Sequence, residues 1–383
     1  MSKRTLRMGM VGGGKGAMIG PVHRMAAQLD GEIALVAGAL SSSPEKSLES
    51  GRDIGLAEDR NYESWHAMLE AEQKRSGDDR LDFVTIVTPN ATHFEIARAF
   101  MNAGFHVVID KPMVTTPAEA DELTALAAQR SVICAVTYAY TGYPLVREAR
   151  ALVRDGALGE LRKVHVSYRQ GWLAQPIERD GHKQADWRTD AARSGGGGAI
   201  GDIGSHAENL ASYVTDLEIE SISAQLNTFV AGRDVDDDAN VMLRFRGGAA
   251  GVLIASQICV GSDNDLRISV HGTKGSLHWR QESPNELRFM LQGKPTALLS
   301  AGGGQLSQAA RQSCRLPAGH PEGVIEAFAN IYRGVACAIR AGSTDGETHD
   351  FPDVHAGARG VRFIHAAIAS SKRNGAWVQL SEI

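Results

Sequence analysis

The sequence predicts an α/β protein in two parts, a doubly wound parallel sheet over residues 1–137 and an antiparallel or mixed sheet with its own helices over 138–383. Three observations predict it. Val- and Ile-rich runs alternate with amphipathic stretches of helix length through the first third of the chain, the pattern of parallel strands buried on both faces. A glycine-rich segment closes the first of these runs. Beyond Tyr138 the apolar runs follow one another across short turns, which favours antiparallel pairing. A length of 383 residues, at roughly 100 to 200 per domain, accommodates two such parts.

Taken in order, Leu6 to Val11 is the first strand, and Gly12-Gly13-Gly14 followed by Lys15-Gly16-Ala17-Met18-Ile19-Gly20 leads into a helix over Val22 to Leu29. Ile33 to Leu40 is the second strand. It stops at Ser41-Ser42-Ser43-Pro44, where Ser43 is placed to cap a helix with proline at its first position. Phe83 to Val87 ends at Thr88-Pro89-Asn90 and precedes a helix closed by Gly104, and Val107 to Ile109 runs into Asp110-Lys111-Pro112. Thr116-Pro117-Ala118-Glu119 is a capping box that opens a helix through Gln129. In the second part a helix near Leu145 to Arg154 gives way to strands around Val164 to Arg169, Ser221 to Val230, Ala239 to Arg246, Gly251 to Ile258 and Leu266 to Gly272. Ala301 to Gln305 reads as a loop and Glu322 to Ile339 as a helix.

Composition narrows the function. Hydrophobic residues at 43% against 22% charged supply ample core, so disorder is not the default. A net charge of -5 is too acidic overall for a phosphate-backbone binder, and no nucleic-acid partner is expected. Cys134, Cys259, Cys314 and Cys337 lie far apart without a CxxC pair, which fits a reducing cytoplasm better than a zinc ribbon or a disulfide framework. The first residues break into glycines before a signal-peptide core can develop, and no apolar run reaches the roughly 18 residues of a membrane span. The expectation is a cytoplasmic protein with no membrane partner.

Gly12-x-Gly14 between a strand and a helix, with Ala17 at the third small position, matches the G-x-G-x-x-G/A dinucleotide fingerprint. Gly16 and Gly20 are alternatives for the third role. Small residues let backbone approach a pyrophosphate, and the helix start near Met18 and Ile19 offers N–H groups and a positive dipole end. A tight β-to-α turn without a ligand is the structural alternative. The second strand ends at Ala39-Leu40-Ser41-Ser42, without the acid that binds ribose hydroxyls in NAD sites. No Arg follows Ser41 directly, although Lys46 is within reach of a 2′-phosphate. The expected cofactor is NAD or NADP, with NAD favoured.

Lys111 stands at the carboxyl edge of a strand, where open α/β sheets place ligands, with Pro112 restricting it to extended geometry. By themselves these residues also describe a surface lysine starting a turn. Farther on, Ser194 to His206 sets a glycine-rich stretch before a helix start near Asp202. On such a helix Asp202 and His206, four apart, share a face, and Asp202 can cap the helix while orienting the imidazole. The structural alternative is a capping aspartate and a satisfied histidine. No third metal ligand accompanies the pair at recognisable spacing, so no metal is expected. Asp234, Asp236, Asp237 and Asp238 lack the glycine and distal acid of an EF-hand and read as a solvated turn.

In order and spacing these residues resemble the glucose-fructose oxidoreductase/inositol dehydrogenase family, called Gfo/Idh/MocA. The likeness runs over nearly the whole chain: the glycine loop, Thr88-Pro89-Asn90 with His93, Lys111-Pro112, Trp187-Arg188 and the Asp202/His206 segment. It implies an N-terminal Rossmann domain and a C-terminal α/β domain with a large open, mostly antiparallel sheet, substrate between the domains, and a homodimer or homotetramer. It also implies hydride transfer at a secondary alcohol of a sugar, anhydrosugar or cyclitol, with Lys111, Asp202 and His206 as the catalytic group. Asn90 and His93 then fall near the nicotinamide beside Thr88, Pro89 and Asp110, and Trp187 with Arg188 near the cofactor or its pocket. Asp110 replaces the family's usual Glu, the glycine loop is longer, and Asn209 stands where an Asp often occurs. The glycine loop together with Gly319-His320-Pro321-Glu322 resembles a subgroup that includes levoglucosan-type sugar dehydrogenases.

Oxidising a carbinol carbon requires its hydroxyl proton to leave, so a base must lie within hydrogen-bond reach. His206 titrates near neutrality without tuning, whereas Lys111 needs its pKa lowered. In the expected arrangement His206 takes the proton, Lys111 steadies charge on the same oxygen, and Asp202 positions hydroxyls or the imidazole; exchange between Lys111 and His206 stays open. A polyol also needs polar partners and an aromatic face, for which Tyr140, Tyr143, Gln170, Trp172 and His320 are candidates by type, with Tyr138, Gln257 and Asn264 behind them. Two rivals are a redox-assisted glycosidase or lyase using the same residues, and a catalytically silent NAD(P)-binding regulator.

Overall fold

The computed structural model describes residues 4–383, which form two compact units. The first contains the chain up to Ala139 together with Phe328–Ala358; the second contains Tyr140–Ala327 and Arg359–Ile383.

In the first unit β1 (Leu6–Gly12), β2 (Ile33–Ala39), β3 (Phe83–Val87), β4 (His106–Ile109) and β5 (Cys134–Val136) form a parallel sheet in the order β2-β1-β3-β4-β5. The order reverses between β1 and β3, the point at which such sheets open a crevice beyond their carboxyl ends. The glycine loop leaves β1 there and Thr88-Pro89-Asn90 leaves β3. Every residue of β3 is buried, including Phe83, Val84 and Ile86, each contributing about 1.5 to 3 kcal/mol. The helices Ile19–Gln28, Pro44–Asp53, Trp65–Glu72, His93–Asn102 and Pro117–Arg130 intervene between the strands. The last opens with both arms of the capping box: Glu119 N–H donates to Thr116 Oγ1 and Thr116 N–H to Glu119 Oε2. Ser43, expected as a cap, occupies the N-cap position of Pro44–Asp53, but its side chain makes no capping bond.

The division at residue 137 differs from the observed units because part of the helix Val324–Ala341 packs with the first. The Tyr332 hydroxyl bonds His23 Nδ1 at 2.7 Å and Thr85 Oγ1 at 3.2 Å, and Arg340 pairs with Glu32. Farther along, Pro352 O accepts the Val136 N–H at 2.8 Å.

The second unit carries a nine-stranded sheet of β6 (Leu161–Arg169), β7 (Ile219–Asn227), β8 (Asp238–Phe245), β9 (Ala250–Ser256), β10 (Asp265–Gly272), β11 (Gly275–Arg280), β12 (Glu286–Leu291), β13 (Ala297–Ser300) and β14 (Val378–Gln379). The order is β13-β12-β11-β10-β6-β9-β8-β7-β14, antiparallel except for the parallel pair β6 and β9. Alternate residues such as Val164, Val166 and Tyr168 enter a core shared with Leu145 and Val146 of helix Pro144–Arg154 and Leu210 and Val214 of helix Ser205–Thr215. Among the described residues, no helix is long and apolar enough to cross a membrane.

Candidate active site

Two sets of residues matter, one on each unit. On the first, the loop after β1 folds back on its own helix. Gly13 has φ +76°, and a Cβ placed on it would lie 2.9 Å from Gly20 Cα, closer than real side chains approach. Gly20, on the first turn of the helix, is therefore the residue that permits close packing, and it takes the third small position instead of Ala17. Ala17 lies in the turn, its N–H donating to Gly14 O at 3.0 Å. The loop is stitched to the end of β2 by Gly14 N–H to Leu40 O at 3.0 Å and Lys15 N–H to Ser50 Oγ at 3.0 Å, and Arg24 Nη1 holds Gly13 O at 2.7 Å. Helix Ile19–Gln28 has neither a side-chain cap at Met18 nor an acid in its first turn. Its leading N–H groups and dipole end thus suit a phosphate, and the loop fits a dinucleotide. Beyond β2, Ser41 Oγ accepts the Ser43 N–H at 3.2 Å, Ser42 and Lys46 are exposed, and Lys15 in the loop pairs with Glu49 at 2.6 Å.

Past β3, Thr92 Oγ1 donates to Pro89 O and reaches Thr88 Oγ1, both at 2.8 Å, while Asn90 is nearly buried. His93 is engaged with main chain on both ring nitrogens. Its ring is fully buried, with Nε2 2.8 Å from Thr88 O and Nδ1 3.0 Å from Pro112 O, so both nitrogens face main chain. Burial lowers its pKa, opposed by Asp110 and by the backbone groups around the ring. Beyond β4, Asp110 Oδ1 accepts the Lys111 N–H at 2.9 Å and the Thr137 hydroxyl at 3.1 Å, which ties the shorter acid to its own turn and to the segment after β5. Lys111 is half-buried, and the Lys111–Pro112 peptide is cis.

On the second unit, Asp202 lies inside a π-helical turn, Ile200–Gly204, that runs into helix Ser205–Thr215, with His206 at its second position. Such turns recur at functional sites. Asp202 does not cap this helix. Asp236 does so from the loop before β8: Gly198 N–H and Ile200 N–H donate to its two carboxylate oxygens at 2.8 and 2.7 Å, and Ala199 N–H to its carbonyl. Burial pushes the Asp236 carboxyl up to about 6, against those two donors. Asp237 is also buried; it accepts the Phe229 and Val230 N–H groups at 2.9 and 2.8 Å and lies 3.6 Å from Arg233. The expected solvated turn at 234–238 is therefore in part a buried carboxylate pair satisfying orphan backbone donors.

Released from capping, Asp202 Oδ2 accepts Gln257 Nε2 at 2.8 Å and Arg188 Nε at 3.2 Å. The Arg188 guanidinium stacks over Trp187 at 4.2 Å and donates through Nη1 to Gln184 O and Oε1. Within this unit, then, the Trp-Arg pair serves the aspartate. Half-buried His206 meets the Tyr140 ring edge to face at 4.8 Å and the Tyr168 ring at 6.1 Å. From there a lattice extends outward. The Tyr140 and Tyr168 hydroxyls bond each other, Tyr168 donates to Asn264 Oδ1 at 2.5 Å, Gln170 Nε2 donates to the same oxygen at 2.9 Å, and Trp172 Nε1 donates to Gln170 Oε1 at 2.9 Å. Burial raises the pKa of both tyrosines, so they remain protonated donors at neutral pH.

The fold thus gathers Asp202 with Trp187 and Arg188, and His206 with Tyr140, Gln170 and Trp172, the two groups meeting where Asp202 and His206 lie four residues apart on one helical run. Neither group includes Tyr143, which stacks behind Tyr140 and against Trp279 as a core residue because its ring lies on the buried side. His320 lies on an exposed turn, with Nδ1 3.3 Å from Pro317 O, and is not hydrogen-bonded to the lattice. Tyr168 was not among the residues chosen from sequence, although it ends the inward-facing series Val164, Val166, Tyr168 and is the one member of that series with a polar tip. Among the described residues, no group of three His, Cys, Asp or Glu side chains is arranged to hold a metal ion.

Comparison with known proteins agrees with this architecture. Residues 6–138 match the model of an oxidoreductase family with an NAD-binding Rossmann fold, and residues 146–278 match the GFO/IDH/MocA C-terminal domain. The uncharacterized oxidoreductase YfiI of Bacillus subtilis is 33% identical, over 98% of this chain and 97% of its own. Levoglucosan dehydrogenase of Pseudarthrobacter phenanthrenivorans is 27% identical, over 74% and 76% of the two chains. The solved structure of an inositol dehydrogenase homolog from Azotobacter vinelandii, complexed with NADH and myo-inositol, superposes with a TM-score of 0.89 at 36% identity, covering 98% of each chain. With a Rossmann unit, an open and mostly antiparallel second sheet, and full-length relatives of this kind, the chain belongs to the Gfo/Idh/MocA family of NAD(P)-dependent oxidoreductases.

Proposed function

We propose that this protein is a dehydrogenase acting on a secondary alcohol of a cyclitol, sugar or anhydrosugar, with NAD preferred over NADP. The observation that carries the proposal is the patch on the second unit: a half-buried imidazole flanked by two tyrosines and an aspartate clamped by two donors. Such a surface offers several directional polar groups beside aromatic edges, which suits a polyhydroxylated ring. The relatives named for levoglucosan and the one complexed with myo-inositol support the substrate class.

The dinucleotide would be held by the loop of Gly12, Gly13 and Gly14, by the N-terminus of helix Ile19–Gln28, and by Ser41 and Ser42 on its ribose side. When bound, its nicotinamide supplies the hydride acceptor or donor. His206 accepts the hydroxyl proton, the neutral imidazole being the base that needs least tuning near pH 7. Lys111 donates to the same oxygen and stabilises negative charge as the proton leaves. Asp202 accepts from a neighbouring hydroxyl, its direction fixed by Gln257 and Arg188. The preference for NAD rests on the lack of an Arg after Ser41 and on the pairing of Lys15 with Glu49, which occupies the loop's own cation.

The test is a spectrophotometric screen of NAD and NADP against cyclitols, sugars and anhydrosugars, followed by Lys111→Met and His206→Asn on the best pair. Turnover should drop about 10²-fold or more in each, with dinucleotide affinity nearly unchanged. Wild-type turnover in either variant removes that residue from the chemistry, and a screen without hydride transfer removes the activity.

A further inference from the structure

In the first unit, the His93 side chain touches both the segment that leaves β3 and the segment that leaves β4. Past Val87 and Ile109 the ladder of β3 and β4 has ended, so the main chain there needs partners from elsewhere. His93, the first residue of helix His93–Asn102, faces both segments, its neutral ring donating to one carbonyl and lying against the other. Its buried ring lies 2.8 Å from the Thr88 carbonyl and 3.0 Å from the Pro112 carbonyl. Thr88 opens the turn assigned above to the cofactor side, and Pro112 follows Lys111 directly. We propose that His93 is a positioning residue: a single imidazole that sets the Thr88-Pro89-Asn90 turn and the Lys111-Pro112 segment relative to each other, and so couples cofactor affinity to the placement of the lysine. The proposal rests on the reading that Lys111 takes part in the chemistry and that Thr88 to Asn90 serve the dinucleotide.

A structural role alone would give the two nitrogens no separate meaning, whereas coupling gives each its own kinetic signature. The turn and the lysine segment each have a second support: Thr92 Oγ1 holds Pro89 O, and Asp110 holds the Lys111 N–H and the Thr137 hydroxyl. Loss of one histidine contact therefore loosens a segment without dismantling it. An asparagine places its amide where Nδ1 stands, within reach of Pro112, and vacates Thr88. A glutamine extends toward the Nε2 position, serves Thr88, and vacates Pro112.

The experiment compares His93→Asn and His93→Gln with the wild type by titration of NADH fluorescence without substrate, by kcat at saturating cofactor on the substrate found in the screen, and by thermal melting. In His93→Asn the NADH Kd should rise about tenfold, the size of one lost hydrogen bond, while kcat stays within about threefold. In His93→Gln the Kd should hold and kcat should fall about tenfold. Equal losses in both variants, or lower melting with Kd and kcat unchanged, overturns the coupling. If a variant does not fold, the ring 15N shifts of His93 in the wild type decide: they should move when NADH is added, and no movement overturns the proposal. Lys111→Met separates the two layers. Slow turnover there without a split between the His93 variants overturns the histidine alone, whereas wild-type turnover overturns the reading beneath it.

Discussion

Replacing Gln257 with leucine tests whether the clamp on Asp202 matters to turnover. Gln257 follows β9 and is 2% exposed; its main chain is tied to Asp237 O and Leu173 N–H, so the backbone has little freedom to follow a changed side chain. Leucine fills nearly the same volume but removes the Nε2–H donor 2.8 Å from Asp202 Oδ2, while the Arg188 Nε–H stays 3.2 Å from that oxygen. A hydrogen bond to a charged group contributes about 1.5 to 3 kcal/mol. If Asp202 must hold one direction as the hydroxyl proton departs, most of that appears as lost transition-state stabilisation, a fall in kcat/KM of about 10- to 150-fold. Initial rates of NAD(P)H formation give the ratio, and thermal melts show whether the fold survives. A folded Gln257→Leu protein with kcat/KM within twofold of wild type refutes the assignment of Asp202 as a directed acceptor.

Three further perturbations test other parts of the molecule. Gly20→Ala should drive the helix from Gly13, cost about 1 to 3 kcal/mol, and weaken NADH binding; an unchanged melting temperature and fluorescence titration contradict the close-packing role. His23 is buried and its pKa is lowered by desolvation to about 4 from 6.5, so its contribution to stability is intact above pH 6.5 and is lost as pH falls toward 4. Urea unfolding of His23→Gln should therefore show about 2 kcal/mol less weakening between pH 7 and pH 5 than the wild type, and parallel curves exclude it. Asp236 has the opposite sign. With its pKa raised from 3.8 to about 6, its contribution is present at low pH and lost as pH rises through 6, so Asp236→Asn should gain about 2 kcal/mol on the wild type between pH 4 and pH 7. A pH-independent difference refutes that ionisation.

The Rossmann half was legible because its signals are local. Continuous apolar runs, a glycine loop and one capping box each act within a few residues of the chain. The Asp202/His206 pair was legible by spacing and by its likeness to the family, yet the partners of the aspartate were not. Gln257, Arg188 and Tyr168 reach the patch from a strand end, a short helix and an inward strand position, and pairing across such separations leaves no period in the sequence. The same holds for Asp236, which caps a helix begun some forty residues earlier. Short strands such as β13 and β14 carry too few residues to announce themselves. His93 was found by type, but its contacts with the Thr88 and Pro112 carbonyls were not legible, because the sequence gives no sign of which carbonyls a buried ring will meet.

The insertion of Phe328–Ala358 into the nucleotide-binding unit has a consequence for biosynthesis. A ribosome must deliver the chain past Tyr332 before that residue can reach His23 and Thr85, so this half cannot mature as an independent early product even though its first strands emerge first. A gene fragment stopping at codon 137 would therefore yield a half whose buried imidazole lacks its tyrosine, while a loop replacing Tyr140–Ala327 would return the missing helix to it.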